Sequence, residues 1–322
     1  MLMDNISYLR CRAETCDFSE SWDIFVSAYN ASERVQHAHS RANSGRKIWV
    51  VLPEYGYESG EIESLVDCVV VPSGSNEVDV VGRIVAAIGE EKLEEGVRLC
   101  IDITGFMRPH IMAFVAKFYD IGLVGYSMMY SEPGQYRERE NTSFSGDDVE
   151  CVRQVVGFEG LHDDDVASDV LIVGMGYDDG LVSRVITDKE GARLIQLLSL
   201  PSLSADMYQE SILRLDRVSI SVPKDEFDGV FFAPANDPFV VASELSRVVS
   251  KLRSASGRNV YLCPLATKAQ ALGFAIFYMN ELRGTASSIL FPFSRTYGRD
   301  TSSGVGKCWI YEVDIPALAA AP

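Results

Sequence analysis

One pattern occurs twice in this chain and limits the folds it can take. LCIDITGFMRPHIMAFVAKFY (99–119) and YLCPLATKAQALGFAIFYMN (261–280) each begin with a short apolar run. Each passes through a turn carrying Thr and a cation, then continues as an apolar helix pattern. Aligned on Phe114 and Phe274, Arg108 matches Lys268, His110 matches Gln270 and Ala113 matches Gly273. Asn76-Glu77 matches Asn236-Asp237 at the same spacing. A cation in the first turn of a helix that follows a buried strand suits an anion, because the free N–H groups and the helix dipole point there.

The flanking sequence has the same order in both halves. Residues 1–20 are polar and weakly patterned, an extended arm or edge element. An apolar run at 24–28, the turn Tyr29-Asn30 and a helix opened by Ser32 come next, with Glu33 in its first turn. KIWVVLPEYG (47–56) and VDCVVVP (66–72) read as strands. Val80, Val81, Ile84, Val85 and Ile88 then fall at helical spacing over 77–92. Strand 97–103, helix 107–119 and strand 123–130 complete the half. The second half gives a strand, a Gly-bearing turn and a helix over 169–188, then strands at 192–202 and 217–223, with one more at 228–237. Helix 238–254, strand NVYLCPL, helix 268–282 and strand SSILFPF follow. Pro53 with Pro201 and Tyr29 with Tyr177 share one shorter spacing, so about a dozen residues are inserted between the second and fourth strands of the second half. Strands that are apolar almost throughout, alternating with helices, imply parallel sheets covered on both faces. The expectation is an α/β protein of two tandem Rossmann-like lobes, residues 1–150 and 151–322, produced by internal duplication and facing each other across a crevice. EPGQYRERENTSFSGDD (132–148) reads as a linker or loop, and a Ser/Gly loop precedes a last strand, WIYEVDI.

Composition removes several classes of function. The 322 residues are 47% hydrophobic and 23% charged, the balance of a soluble globular protein. A formal charge of −17 argues against broad binding to nucleic acid or to anionic membranes, although a local basic pocket is compatible with it. Seven scattered cysteines give no paired metal-ligand spacing. No signal peptide or membrane-spanning run is apparent, so the chain reads as cytoplasmic.

In a doubly wound parallel sheet, ligands bind beyond the carboxyl ends of the strands, where strand order reverses. Polar turns at such ends contain Tyr29, Asn30, Thr104, Arg108, His110, Gly174, Gly176, Tyr177, Asn236, Thr267, Lys268 and Gln270. For any one of them alone, capping and turn chemistry is the simpler role. The recurrence of the cation lifts Arg108 and Lys268 above that level. The turn GMGYDDG (174–180) lacks the third glycine of a dinucleotide fingerprint, and its two aspartates would repel a pyrophosphate. A P-loop sequence and a nucleophile elbow are both absent. Asp102, Glu33, Asp178 and Asp237 are strand-end carboxylates that could hold a divalent metal or serve as general acid and base if they converge. Asp102 matches Leu262 in the other half, an asymmetry that either a lone active site or drift would leave.

The strand, Thr-bearing turn and Arg/Lys-opened helix resemble the ligand-binding signature of CRISPR-associated Rossmann-fold (CARF) sensor domains. Asp102-Ile103-Thr104-Gly105 with Arg108 matches one form of that signature, and Thr267-Lys268 the other. Two such lobes in one chain look like the fused pair of SAVED-type sensors of bacterial anti-phage systems. The resemblance implies a nucleotide-like small molecule as ligand, a cyclic oligonucleotide among the candidates. It also implies a protein partner carrying the effector activity, since no nuclease, HEPN or protease segment is recognisable here. No cofactor or metal is expected. The other expectations are a metal-dependent nucleotide hydrolase and a non-catalytic scaffold subunit.

Overall fold

The computed structural model describes residues 8, 11–93, 96–136, 149–176, 178–203, 227–253, 259–299 and 302–314. Two compact units emerge: Met1–Asp148 with Arg295–Pro322, and Val149–Ser294.

The first unit is built on β1 (Arg12–Thr15), β2 (Ser21–Ala28), α1 (Glu33–Arg41), β3 (Asn43–Val51), α2 (Ser59–Ile62) and β4 (Cys68–Val70). After these come α3 (Glu77–Ile88), β5 (Leu99–Asp102), α4 (Arg108–Asp120) and β6 (Tyr126–Tyr136). Its sheet has the order β1-β13-β6-β5-β2-β3-β4, where β13 (Ser302–Val313) is the last strand among the described residues. The five strands from β6 to β4 are parallel; β13 runs antiparallel to β6, and β1 antiparallel to β13. Every residue of β5 is buried, as is most of β2, which fits strands covered on both faces.

The second unit contains β7 (Val149–Gln154), β8 (Val170–Gly174), α5 (Asp179–Asp188), β9 (Arg193–Ser199) and β10 (Phe227–Ala233). They lead to α6 (Pro238–Arg253), β11 (Val260–Pro264), α7 (Lys268–Phe277) and β12 (Ser287–Ser294). Its sheet order is β10-β9-β8-β11-β12-β7, with β7 alone antiparallel. Taken in chain order, the five parallel strands of each sheet lie third-second-first-fourth-fifth in space. The two lobes therefore share one Rossmann-like topology, with strand order reversing between β2 and β5 and between β8 and β11.

The element boundaries locate the insertion. β3 ends at Val51 and β9 at Ser199, the same spacing as Pro53 and Pro201. β4 and β10 begin at Cys68 and Phe227, and α4 and α7 at Arg108 and Lys268; both pairs lie farther apart by about a dozen positions. The extra residues fall between the second and third strands of the second lobe. The third strand there is β10; the segment 217–223, also read as a strand, lies outside the described residues. The expected second lobe ran through residue 322. In the structure its unit stops at Ser294, because β13 hydrogen-bonds to β6 of the first sheet. The Ser/Gly stretch before WIYEV is part of that strand, not a loop, and pairs from Ser302 opposite Tyr136 to Val313 opposite Tyr126. Among the described residues no helix is long and apolar enough to cross a membrane.

Candidate functional site

At the order reversal of the first sheet, Ser27 on β2 lies opposite Asp102 on β5. Both are buried, and Ser27 Oγ donates to Asp102 Oδ2 at 2.6 Å. Asp102 Oδ1 accepts from the Thr104 N–H at 3.0 Å, which turns the chain sharply at the strand end. Thr104 Oγ1 accepts from the Ser131 N–H of β6 at 3.0 Å, and the Ser131 carbonyl accepts from Arg34 Nη1 of α1 at 3.2 Å. One polar chain thus fixes β2, β5, β6 and α1 to each other. A buried network of this kind resists removal of any member, since each partner would be left unsatisfied.

The turn after β3 lies across the same strand ends. Tyr55 donates its hydroxyl to the Gly105 carbonyl at 2.7 Å, and the Tyr57 hydroxyl accepts from the Ala31 N–H at 3.0 Å. Burial raises both phenol pKa values, so both hydroxyls keep their protons. Tyr29 packs edge-on against Tyr57 at 4.9 Å and against Trp49 at 5.3 Å. Arg299, just before β13, sits 4.0 Å over the Tyr57 ring, donates to the carbonyls of Tyr55 and Gly56, and pairs with Glu61 at 2.9 Å. Asn30 is buried, with Oδ1 accepting from the Ser32 N–H at 2.8 Å. Glu33, which the sequence left open as a catalytic carboxylate, accepts from the Gly304 N–H at 2.9 Å and ties α1 to β13.

The second lobe has the same frame without the acid. Asp178 caps α5 through the Leu181 N–H at 3.1 Å, and Asp237 caps α6 through the N–H groups of Phe239 and Val240 at 3.0 and 3.1 Å. Thr267 is the N-cap of α7; it accepts from the Gln270 N–H at 3.1 Å and donates to the Ala235 carbonyl at 2.5 Å. Gln270 is buried, accepting from Ser199 Oγ and donating to the Pro234 carbonyl, both at 3.3 Å. Gly174 ends β8 and Asn236 is half-buried; Tyr177 lies outside the described residues. In both lobes a glycine lets the two reversal-point loops touch. A Cβ on Gly105 would fall 2.2 Å from the Ala28 carbonyl oxygen, and one on Gly176 2.2 Å from that of Leu265.

Arg108 and Lys268 are the first helical residues of α4 and α7, and both are half-buried. Neither helix has an acidic residue in its first turn, whereas α1 has Glu33 and α3 has Glu77 and Asp79. The positive ends of α4 and α7 therefore carry a cation where α1 and α3 carry a compensating acid. His110 is buried in the first turn of α4, edge-on to Phe106. The structure thus joins Tyr29, Asn30, Asp102 and Thr104 in one strand-end cluster. Asn30, Thr104, Thr267 and Gln270 are committed to backbone and loop contacts. Sequence reasoning missed Ser27, Tyr55, Tyr57, Ser131 and Arg299. Tyr55 and Tyr57 could have been suspected, as they follow a strand pattern; nothing near Arg299 signals its place. Among the described residues no three His, Cys, Asp or Glu side chains are grouped to hold a metal. No protein-family model matches the sequence, and no curated protein matches it.

Proposed function

We propose that this chain is a sensor of a nucleotide-type anion, bound at the strand-end loops, with any effector activity residing in a partner protein. The observation that carries it is the repeated cation: two lobes of one topology each open the helix after the fourth strand with Arg108 or Lys268 and no first-turn acid. Phosphate oxygens suit such a helix start, and charge-assisted hydrogen bonds reward them. The commitments of Asp102 to a strand-end turn, of Glu33 to β13, and of Asp178 and Asp237 to helix caps favour binding over hydrolysis. The likeness of Asp102–Arg108 and Thr267-Lys268 to CARF and SAVED signatures points to a cyclic oligonucleotide, and to bacterial defence as the setting.

Calorimetry with ATP, AMP and cyclic oligoadenylates tests this role. Arg108→Ala or Lys268→Ala should weaken the bound nucleotide about ten- to a hundredfold, from roughly 1.5–3 kcal/mol per charge-assisted bond. Melting temperature should shift little, because a partly exposed cation contributes little to stability. Equal binding by the parent and both variants would refute the phosphate site. Nucleotide turnover abolished by Asp102→Asn would replace the sensor with a hydrolase.

A further inference from the structure

The first and last strands of the first sheet bring two thiols face to face. β1 and β13 are in antiparallel register from Arg12 opposite Glu312 to Thr15 opposite Trp309. One step further the same register sets Cys16 opposite Cys308, and the Cys16 N–H donates to the Cys308 carbonyl at 2.8 Å. A hydrogen-bonded antiparallel pair keeps its Cα atoms about 5.5 Å apart, inside the roughly 4.4–6.8 Å that a disulfide spans. Directly opposed residues also share one face of the sheet. Both side chains pack in one cluster with Trp22, Phe25, Ala38, Met129 and a third thiol, the fully buried Cys100. Each is a free thiol: Cys308 is buried and Cys16 half-buried, so a small oxidant reaches the pair from the Cys16 side.

We infer that Cys16 and Cys308 form a peroxide-responsive disulfide that staples the first strand of this sheet to the last. The two thiols differ in a way that sets the order of events. A hydrogen bond from Cys308 holds the Cys16 thiol below its usual range, while the same bond and burial push Cys308 up. Burial also pushes up Cys68 and Cys100, and takes Cys11 to about 11. Cys16 is therefore the nucleophile. Its thiolate attacks one oxygen of hydrogen peroxide, the O–O bond breaks, and hydroxide leaves, giving the sulfenic acid. The Cys308 sulfur then attacks the Cys16 sulfur, the S–O bond breaks, and the oxygen leaves as water with the Cys308 proton. Two thiols and one peroxide thus become one disulfide and two waters.

The test treats the full chain with hydrogen peroxide, then blocks the remaining thiols and maps peptides by mass spectrometry. Titratable thiols should fall by two, from seven to five, and one peptide should join Cys16 to Cys308. The oxidised chain should migrate faster on a non-reducing gel, melt at a higher temperature, and revert with dithiothreitol. Cys16→Ser and Cys308→Ser should each abolish all three changes, while Cys11→Ser, Cys68→Ser and Cys151→Ser leave them intact. The peptide map needs no substitution, so poor folding of a variant does not weaken the test. Seven thiols surviving peroxide, or a disulfide that excludes either residue, would overturn the inference.

Discussion

His39 on α1 lies flat against Trp49, ring centroids 3.6 Å apart and planes 13° apart, while Lys47 donates to the His39 carbonyl at 2.7 Å. Burial, with the Lys47 charge adding to it, lowers the imidazole pKa to about 4. The fold therefore favours neutral His39. Its contribution is fully present above the unfolded value of about 6.5 and is lost as pH falls from there towards 4. Urea midpoints at pH 7 and pH 5 should show the parent losing more stability than His39→Gln. Burial raises Glu54, Glu132 and Glu312, and their contribution strengthens as pH falls. They are common to parent and variant, so the difference isolates the histidine. Identical pH dependence in the two proteins would mean that His39 titrates as freely in the fold as out of it.

α4 and α7 show how much of an element can be read in advance. Their starts at Arg108 and Lys268 stand at the spacing read from the repeated pattern. Gly273, which matches Ala113 in the repeat, is the small-residue position where α7 meets α6. A Cβ on Gly273 would fall 2.4 Å from the Pro238 carbonyl oxygen and 2.9 Å from the Val241 side chain, both on α6. Gly273→Ala should thus overpack that contact at a cost of about 1–3 kcal/mol, measured by chemical denaturation. An unchanged midpoint would show that α6 yields without strain. Apolar periodicity made these helices and the buried strands legible, because it records burial directly. Hydrogen-bond commitments were not legible. Ser27 and Asp102 are far apart in the chain, as are Ser199 and Gln270, and Arg299 and Tyr55 stand near its opposite ends. No local pattern tells a side chain that it will be used up by so distant a partner. β7 was missed because VECVRQ is half-exposed along its length and carries no clear alternation.

At the scale of the molecule, the path of the chain matters more than the count of lobes. β6 closes the parallel part of the first sheet, yet the next strand, β7, joins the second sheet beside β12. After β12 the chain returns, and β13 adds to the first sheet beside β6. Val149–Ser294 is therefore continuous and holds all six strands of its sheet, whereas the first unit needs both ends of the sequence. Residues 149–294 expressed alone should melt cooperatively. Residues 1–148 alone should not, and should recover when 295–322 is attached through a flexible linker. β13 brings the buried Ile310, Tyr311 and Val313, and its absence leaves β6 with an unpaired edge. Cooperative melting of 1–148 by itself would show β13 to be dispensable.

Synthesis runs in one direction, and this chain asks its first lobe to wait for its last strand. Tyr136 leaves the ribosome long before Ser302, the residue it will face, and the whole of Val149–Ser294 is made in between. At about 5–20 residues per second that gap lasts on the order of ten to thirty seconds. For that time the lobe begun first is a sheet with an open side, and the lobe begun second gains its own last described strand at Ser294, before β13 is made. The order of completion is the reverse of the order of translation.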